Sequence, residues 1–169
     1  MVNIKRWLSH CFLPPWYWRM KFSKDALTKL ERAITLSEQR HSGELRFAIE
    51  NSLAPMWVWQ GMSIKHRAIE LFSQLRVWDT EENSGVLIYL LLADRKVQIL
   101  ADRGIDRLVE HAEWQIIADS MQAEFRNDNF LEGSLLGIEK ITALLASHFP
   151  PGNTNPNELP NRPVIVKRR

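Results

Sequence analysis

One apolar run constrains the fold of this chain more than any other feature of the sequence. It is Val-Leu-Ile-Tyr-Leu-Leu-Leu at 86–92, in which the tyrosine hydroxyl is the only polar side-chain group. The run is far shorter than the roughly 20 apolar residues of a helix that spans a bilayer. Its length fits one β-strand, and a strand this apolar has to be covered on both faces. The run therefore predicts a central strand between two layers of helices.

The segments on either side predict the neighbours of this strand. Residues 44–50 alternate between polar and apolar, which is typical of a strand with one buried face and one solvated face. Residues 64–75 carry apolar side chains at helical spacing, and a strand–helix–strand order implies a parallel pair with a right-handed crossover. Residues 93–95 predict a tight turn that leads into an antiparallel strand over 96–101.

Three further helices are predicted, one before the first strand and two after the hairpin. Ser23 is a suitable N-cap for the first of them. The apolar faces of the other two consist of Trp114, Ile117, Met121 and Phe125, and of Leu131, Leu135, Ile138, Thr142 and Leu145. The predicted fold class is α/β, a three-layer α/β/α sandwich around a small mixed sheet.

Composition divides the chain into three parts. Residues 1–22 form a basic, aromatic leader, residues 23–149 form the domain, and residues 150–169 form a proline-rich, basic tail. Within the tail, residues 164–166 are predicted as a short edge strand. The formal charge is +5 over residues 1–24, −6 over 25–150 and +3 over 151–169. Two basic arms therefore flank an acidic body.

The single cysteine and the leader indicate the compartment. One cysteine, Cys11, excludes an internal disulfide framework and a cysteine-rich zinc site. The apolar part of the leader is short, contains His10 and ends at two prolines, which is not the pattern of a secretory signal. We expect the N-terminus to be retained and the protein to be cytoplasmic, either free or peripheral at the inner face of the membrane.

The common catalytic motifs are absent from the sequence. There is no glycine-rich nucleotide loop, no Gly-x-Ser-x-Gly and no His-Glu-x-x-His. The five histidines occur singly and are interpreted as surface or helix-end residues, so no catalytic residue is assigned. The tryptophans are interpreted as covers for core edges, and no nucleic-acid partner is expected.

Acidic residues follow or precede the predicted strands. Asp94 is expected at the edge where the first strand ends, because the two parallel strands end together. The opposite edge is expected to hold Asp79, Glu82, Asp102 and Asp106. Carboxylate oxygens suit calcium or magnesium, although acids in loops are also commonly just solvated. Gly104, between strand and helix, is interpreted as a turn with positive φ.

Basic residues suggest two further kinds of contact. Arg95 and Arg103 lie beside these acids and are candidates for binding phosphate through forked hydrogen bonds. In the leader, a helix over residues 3–13 would place apolar side chains on one face with basic ones beside it. The candidate contacts with an anionic membrane surface or a protein partner are Lys5, Arg6, Trp7, Trp16 and Trp18. The alternative is that the leader packs on its own domain.

Several short blocks, taken in order over about residues 25–149, resemble the TPM domain family, which is also labelled a phosphatase family. In the third block Ser84 stands between the family's Asn and Gly. The blocks are Ser-Gly-Glu-Leu-Arg-Phe at 42–47, Ala-Ile-Glu-Leu-Phe at 68–72, Asn-Ser-Gly-Val-Leu-Ile at 83–88, Asp-Arg-Lys at 94–96, Asp-Arg-Gly-Ile at 102–105 and Phe-Leu-Glu-Gly at 130–133, with Leu-Gly at 136–137.

The resemblance implies an α/β/α sandwich, and it implies functions that differ between members. Some members are described as weak acid phosphatases, some as binding calcium or other divalent ions, and some as assisting membrane complexes. Many carry a signal peptide and a C-terminal membrane helix. This chain departs on both counts, and it is similar to a short, stand-alone bacterial subgroup.

Two functions are therefore expected from the sequence. The first is a divalent-metal-binding or interaction module that associates with a protein partner or a membrane surface. The alternative is a weak, metal-assisted phosphatase acting on phosphate monoesters. Substrate, metal, partner and oligomeric state are not specified by the sequence.

Overall fold

The computed structural model of the chain describes residues 3–152 and 156–168. A four-stranded mixed sheet has the order β3-β2-β1-β4, with β1 parallel to β2 and β4, and β2 antiparallel to β3. The helices are α1 (Ile4–Phe12), α2 (Tyr17–Lys21), α3 (Lys24–Glu38), α4 (Pro55–Trp59), α5 (Ile64–Gln74), α6 (Arg103–Asp106), α7 (His111–Arg126) and α8 (Phe130–His148), and the strands are β1 (Glu44–Glu50), β2 (Gly85–Leu91), β3 (Lys96–Ala101) and β4 (Val164–Val166).

Strand β2 is the central strand that the apolar run predicts. All seven of its residues are buried. In the parallel pair Phe47 lies opposite Ile88, and in the hairpin Ile88 lies opposite Ile99. A short 3₁₀ turn over Leu92–Asp94 and a left-handed Arg95 (φ 50°) connect β2 to β3. The parallel pair, the hairpin and the three-layer α/β/α architecture are confirmed.

One face of the sheet, which we call the apolar face, is covered by α3, α7 and α8. Leu45, Phe47 and Ile49 project from β1 into this layer, and all three are fully buried. The predicted faces of the two C-terminal helices pack here, with Trp114 only 4 % exposed. Helix α3 begins as predicted, because Ser23 Oγ accepts a hydrogen bond from the Ala26 N–H at 3.1 Å.

The opposite face, which we call the charged face, is covered by α1, α4, α5 and the tail. The prediction that this side of β1 is solvated was wrong, because Glu44, Arg46 and Glu50 are all buried. The period of two correctly separated the two sides of the strand. It did not show that other parts of the chain cover the polar side.

The C-terminal tail is one of these covers. Arg46 Nη1 donates to the carbonyl oxygens of Pro160 (2.7 Å) and Arg162 (2.8 Å). Glu44 Oε2 accepts from two tail N–H groups, those of Glu158 and Leu159. These contacts lead the tail to the outer edge of β1, where β4 forms over the predicted residues.

Three short helices, α2, α4 and α6, were not predicted. Helix α4 begins at Pro55, a proline at the first helical position, where its missing N–H costs no hydrogen bond. Five residues are too few to show a helical period in the sequence, so the turn was not recognised. Helix α4 packs against α1 and helps to hold the leader on the charged face.

Candidate functional sites at the sheet edges and on the leader

The carboxylate of Asp94 lies at the edge where β1 and β2 end, as predicted, and it binds the leader. Arg6 Nε lies 3.1 Å and 3.0 Å from the two Asp94 oxygens, and His10 Nε2 lies 3.0 Å from Oδ1. Arg6 Nη1 also donates to the carbonyl of Met62 at 2.9 Å. Both side chains come from one face of α1, four residues apart. The leader is therefore docked on the domain, which is the alternative that the sequence left open.

His10 lies in the last turn of α1, so it is a helix-end residue as predicted, but it is fully buried and not at the surface. Its Nδ1 accepts the N–H of Leu53 at 2.9 Å. Because Nδ1 is an acceptor, the proton of the neutral ring is on Nε2, which donates to Asp94. The spacing of Arg6 and His10 on one helix face was the signal in the sequence, but their partner is more than 80 residues away.

Asn51, the residue after β1, makes a second attachment to the leader. Its Oδ1 accepts from the Trp18 N–H at 3.2 Å and its Nδ2 donates to the Pro14 carbonyl at 2.9 Å. Both partners lie where the chain turns between α1 and α2. The edge that was expected to present oxygens to a ligand is thus used to hold the leader.

The electrostatics of Asp94 fit a structural anchor. Burial raises the pKa of its carboxyl, but the hydrogen bond from His10 and the charge of Arg6 outweigh burial, and the net pKa is lowered. The side chain is only 7 % exposed. With Arg6 and His10 on its oxygens, Asp94 is already neutralised by groups of the protein itself.

Arg95 follows Asp94 and points toward the end of α7. Its guanidinium donates to the carbonyls of Phe125 and Arg126 and reaches Asp128 at 3.4 Å. Cationic groups at the C-terminus of a helix satisfy its last carbonyls. This arrangement uses Arg95 to stabilise the end of a helix.

The opposite edge brings Asp102 together with the loop before β2. The Asp102 N–H donates to Gly85 O (2.8 Å) and the Gly104 N–H to Asn83 O (3.1 Å). Asp102 caps α6, since its Oδ1 accepts from the Arg103 N–H at 2.7 Å. Its other oxygen, Oδ2, is buried and has no hydrogen-bond partner among the described residues.

Gly104 does not have the positive φ that was expected of it; within the described residues Gly61 is the glycine that does. Its role is close approach. A Cβ at Gly104 would lie 2.6 Å from the carbonyl oxygens of both Glu82 and Asn83. The left-handed residue in this loop is Asn83 (φ 54°), a residue type that tolerates the conformation.

The remaining predicted site residues of this edge are exposed. Asp79 lies 3.7 Å from Arg76, and Glu82 and Asp106 are also exposed. Arg103 is exposed and donates from Nε to Asn83 Oδ1 at 3.0 Å. Across residues 3–152 and 156–168, no three histidine, cysteine, aspartate or glutamate side chains are grouped closely enough to hold a metal ion.

A buried ionic cluster on the charged face was not predicted from the sequence. The guanidinium of Arg67 donates to both oxygens of Glu50 (2.9 and 3.0 Å), and the Tyr89 hydroxyl donates to Glu50 Oε2 at 2.7 Å. Arg67 also reaches Glu70 and lies over the ring of Trp57. Burial lowers the pKa of Arg67, but the hydrogen bond and charge of Glu50 outweigh it and raise the pKa overall.

A serine–histidine contact on the apolar face has the wrong arrangement for catalysis. Ser37 Oγ lies 2.8 Å from His41 Nε2, and both residues are buried. His41 Nδ1 accepts the Gly43 N–H, so the ring proton is on Nε2 and points at the serine. The serine in turn contacts Thr142 at 2.6 Å. A general base would need a free lone pair at Nε2, so this pair does not form a nucleophile.

The outer surface of the leader is apolar and exposed. Ile4 (55 %), Leu8 (41 %) and Phe12 (77 %) recur every four residues along α1. Of the predicted leader contacts, Lys5 and Trp16 are exposed, Arg6 is held by Asp94, and Trp7 and Trp18 are half-buried. Trp7 packs edge-to-face on Trp59 of α4, 6.2 Å between centroids. None of the described helices is both long and apolar enough to cross a bilayer.

Taken together, the mixed sheet, the parallel crossover and the two edge loops define a small α/β/α sandwich domain of the kind that the sequence blocks predict. The family model of the TPM domain matches residues 21–144, and the chain belongs to this family. The fold is similar to the NMR structure of BA42 protein from the psychrophilic bacterium Bizionia argentinensis, with a TM-score of 0.76 and 29 % identity over 86 % of this chain and 95 % of that chain. Comparison with curated protein sequences finds no match.

Proposed function

We propose that this TPM domain is an interaction module that docks on an anionic membrane surface through its leader. The observation that carries the proposal is the row formed by Ile4, Leu8 and Phe12, which is exposed although α1 is firmly held on its other side. A docked helix that leaves apolar side chains in water is suited to bury them elsewhere.

The charge of the leader fits this surface. Residues 1–24 contain five basic residues and no acidic residue. Lys5, Arg19 and Lys24 are exposed, and Arg19 lies over the ring of Trp18. Each basic residue near an anionic bilayer contributes about 1 kcal/mol, and interfacial tryptophans add to the attachment. The resulting position is peripheral, at the cytoplasmic face of a membrane.

Vesicle co-sedimentation tests the proposal with variants that keep the leader docked. We expect the full chain to bind phosphatidylglycerol-containing vesicles and not pure phosphatidylcholine. The double variant Ile4→Ser with Phe12→Ser should lose at least about tenfold in binding, because each exposed side chain contributes about 1.5–3 kcal/mol when buried. Ile116→Ser, at an equally exposed position of α7, is the matched control. Equal binding by both variants would refute the membrane role.

A second candidate is a divalent cation, calcium or magnesium, at the Asp102 edge. The observation that favours it is the buried Oδ2 of Asp102, which has no hydrogen-bond partner among the described residues and belongs to the loop whose Gly104 lies against the carbonyls of Glu82 and Asn83. A metal-assisted phosphatase would use the same ion, with Arg103 as the phosphate-binding group. This candidate excludes Asp94, whose oxygens are bound by Arg6 and His10.

Titration with calcium or magnesium, followed by amide chemical shifts, tests this candidate. Shifts in residues 79–85 and 102–106 should appear in the wild type and in Asp79→Asn, and should disappear in Asp102→Asn, which keeps the helix cap. Hydrolysis of p-nitrophenyl phosphate, measured with and without the ion, distinguishes a phosphatase from a cation-binding module. Shifts that persist in Asp102→Asn would remove this site.

A further inference from the structure

The outer edge of β3 and a cavity beside it carry an inference that is independent of the leader. Strand β3 is the terminal strand of the sheet, and its outer backbone edge is not paired by any strand of the described residues. The cavity, about 260 Å³, lies between β3 and α7. It is lined by Ile64, residues 96–99, His111, Trp114, Gln115, Ala118 and Gln122.

The hairpin register shows which backbone groups face outward. The Asp102 N–H donates to Gly85 O at 2.8 Å, so this pair is hydrogen-bonded. Bonded and non-bonded pairs alternate along an antiparallel ladder. Val97, Ile99 and Ala101 therefore direct their N–H and C=O groups away from β2. In agreement, the Ile99 carbonyl accepts a hydrogen bond from the side chain of Gln98 at 3.2 Å.

Trp114 supplies the observation that points to a ligand. The residue is 4 % exposed and lines the cavity, and its Nε1 has no hydrogen-bond partner among the described residues. A buried indole N–H ordinarily has an acceptor. The packing of Trp114 in the core explains why its ring is buried. It does not explain why the indole N–H has no acceptor.

The charges around the cavity indicate what kind of acceptor fits. No aspartate or glutamate is among the lining residues, and Lys96 provides a cation at the end of β3. Asp119, on the same helix as Trp114, already accepts hydrogen bonds from the side-chain amides of the lining residues Gln115 (2.9 Å) and Gln122 (3.2 Å). An indole N–H and an ammonium group can both bind a carboxylate, and no lining residue provides one. A ligand that brings its own carboxylate therefore complements the cavity.

We propose that β3 binds an extended, acidic segment of a partner protein as a fifth strand, with one aspartate or glutamate side chain of that segment bound by Trp114 Nε1 and Lys96. Backbone hydrogen bonds to Val97, Ile99 and Ala101 provide the affinity, and the cavity selects the side chain. Alternate residues of an added strand face the same side, so one side chain reaches the α7 side beside the cavity.

The test uses the full chain and a phage-displayed library of random ten-residue peptides. Selected peptides should be enriched in an acidic residue within β-branched neighbours. Synthetic copies should bind Lys96→Glu and Trp114→Phe at least tenfold more weakly than the wild type. Arg32→Glu, the same charge change at an exposed position of α3, should bind within twofold of the wild type. Selected peptides that bind all four proteins equally, or a selection without acidic enrichment, would overturn the proposal.

NMR of the wild type with a selected peptide locates the contact. The indole N–H resonance of Trp114 should shift, and the amides of Val97, Ile99 and Ala101 should become protected from hydrogen exchange. Protection of other amides in place of these would refute strand addition. Sedimentation of the chain without peptide tests whether a second copy of the chain occupies this edge. A dimer joined through β3 would mean that a second copy, and not a partner peptide, binds there.

Discussion

Two groups of buried ionisable side chains, one on each face of the sheet, meet the cost of desolvation in different ways. On the charged face Glu50 is paired with Arg67, and Asp94, whose pKa is lowered, is paired with Arg6 and His10. On the apolar side Glu38 and His41, beside the start of β1, are both held neutral: burial raises the pKa of Glu38 to about 8 and lowers that of His41 to about 4. The first group offsets desolvation by pairing charges, and the second by removing them.

The way in which each face is covered shows what the two arms of the chain do. The apolar face is closed mainly by helices of the domain itself, with Phe22 at the end of the leader packed against Phe130, whereas the charged face is closed by α1 of the leader, α4, α5 and the tail. Buried polar groups of the charged face bind both arms. Asp94 binds Arg6 and His10 of the leader, and Arg46 donates hydrogen bonds to carbonyl groups of the tail. The composition that separates the arms from the domain therefore does not separate them structurally.

The largest effect is expected where a buried charge loses its partner. Arg67→Met leaves the Glu50 carboxyl without its cationic partner in a site that is 1 % exposed, and we expect a loss of about 3–5 kcal/mol in the free energy of unfolding, measured by urea denaturation. Glu70→Gln removes the half-exposed partner of the same guanidinium and should cost less than about 1 kcal/mol.

A matched multiple variant separates charge from packing. Glu50→Leu with Arg67→Met and Tyr89→Phe removes the buried members of the cluster and leaves only the half-exposed Glu70 without its partner, so most of the lost stability should return. If this triple variant were as unstable as Arg67→Met alone, packing around these side chains, and not the isolated charge, would explain the loss.

The next largest effect concerns the leader. Asp94→Asn removes the charge that Arg6 and His10 share, and we expect a loss of about 2 kcal/mol, since hydrogen bonds to charged groups contribute about 1.5–3 kcal/mol. The folded pKa of Asp94 is lowered, so its contribution is present above the unfolded value of 3.8 and is lost as the pH falls below it.

Limited proteolysis checks the same variant directly. Cleavage within residues 3–22 should become faster in Asp94→Asn, while the domain core stays resistant. Asp79→Asn, at an exposed aspartate, is the control. An undisturbed leader in Asp94→Asn would show that Asn51 and the packing of Trp7 hold it without the ionic contact.

These variants also show where the sequence was sufficient and where it was not. The apolar run at 86–92 predicted a strand covered on both faces, because an apolar strand has one stable environment. The local sequence pattern does not show which segments of the chain cover each face. The contacts of Asp94 with α1 depend on a turn at Pro14 and Pro15 that places the leader against the domain. The periodicity of apolar residues does not predict such a turn.

The candidate site was likewise predicted in part. Parallel strand ends correctly placed Asp94 and Asp102 at opposite edges, since that follows from strand direction alone. Which oxygens are already satisfied depends on side chains from distant segments. For Asp94 these are Arg6 and His10, whereas within the described part of the chain the carboxylate of Asp102 is bound only by the backbone of its own helix.

The neutral pair on the apolar side predicts a pH dependence of smaller size. Glu38, with a folded pKa of about 8, stabilises the protein fully below the unfolded value of 4.5 and loses this contribution as the pH rises toward 8. His41 contributes fully above 6.5 and loses its contribution as the pH falls toward 4. The two trends oppose each other between pH 4.5 and 6.5.

Glu38→Gln isolates the histidine. The wild type should lose at most about 2 kcal/mol between pH 6.5 and 8, whereas Glu38→Gln should be flat over that range and should still lose stability below pH 6.5. Urea denaturation at a series of pH values measures both, with Glu139→Gln at an exposed position of α8 as the control. A wild-type curve that is flat from pH 6.5 to 8 would mean that Glu38 is ionised when folded.

The smallest effect is expected at Glu44, where the charged face meets the tail. Its Oε2 accepts two backbone N–H groups, and burial raises its pKa, so the net advantage of a charge over a neutral oxygen is small there. Glu44→Gln keeps an oxygen for the tail and should change stability by less than about 1 kcal/mol, whereas Glu44→Ala leaves both donors without an acceptor and should cost about 1–3 kcal/mol. Equal losses in the two variants would show that the tail requires the carboxylate charge itself, which would make this contact resemble that of Asp94 with the leader.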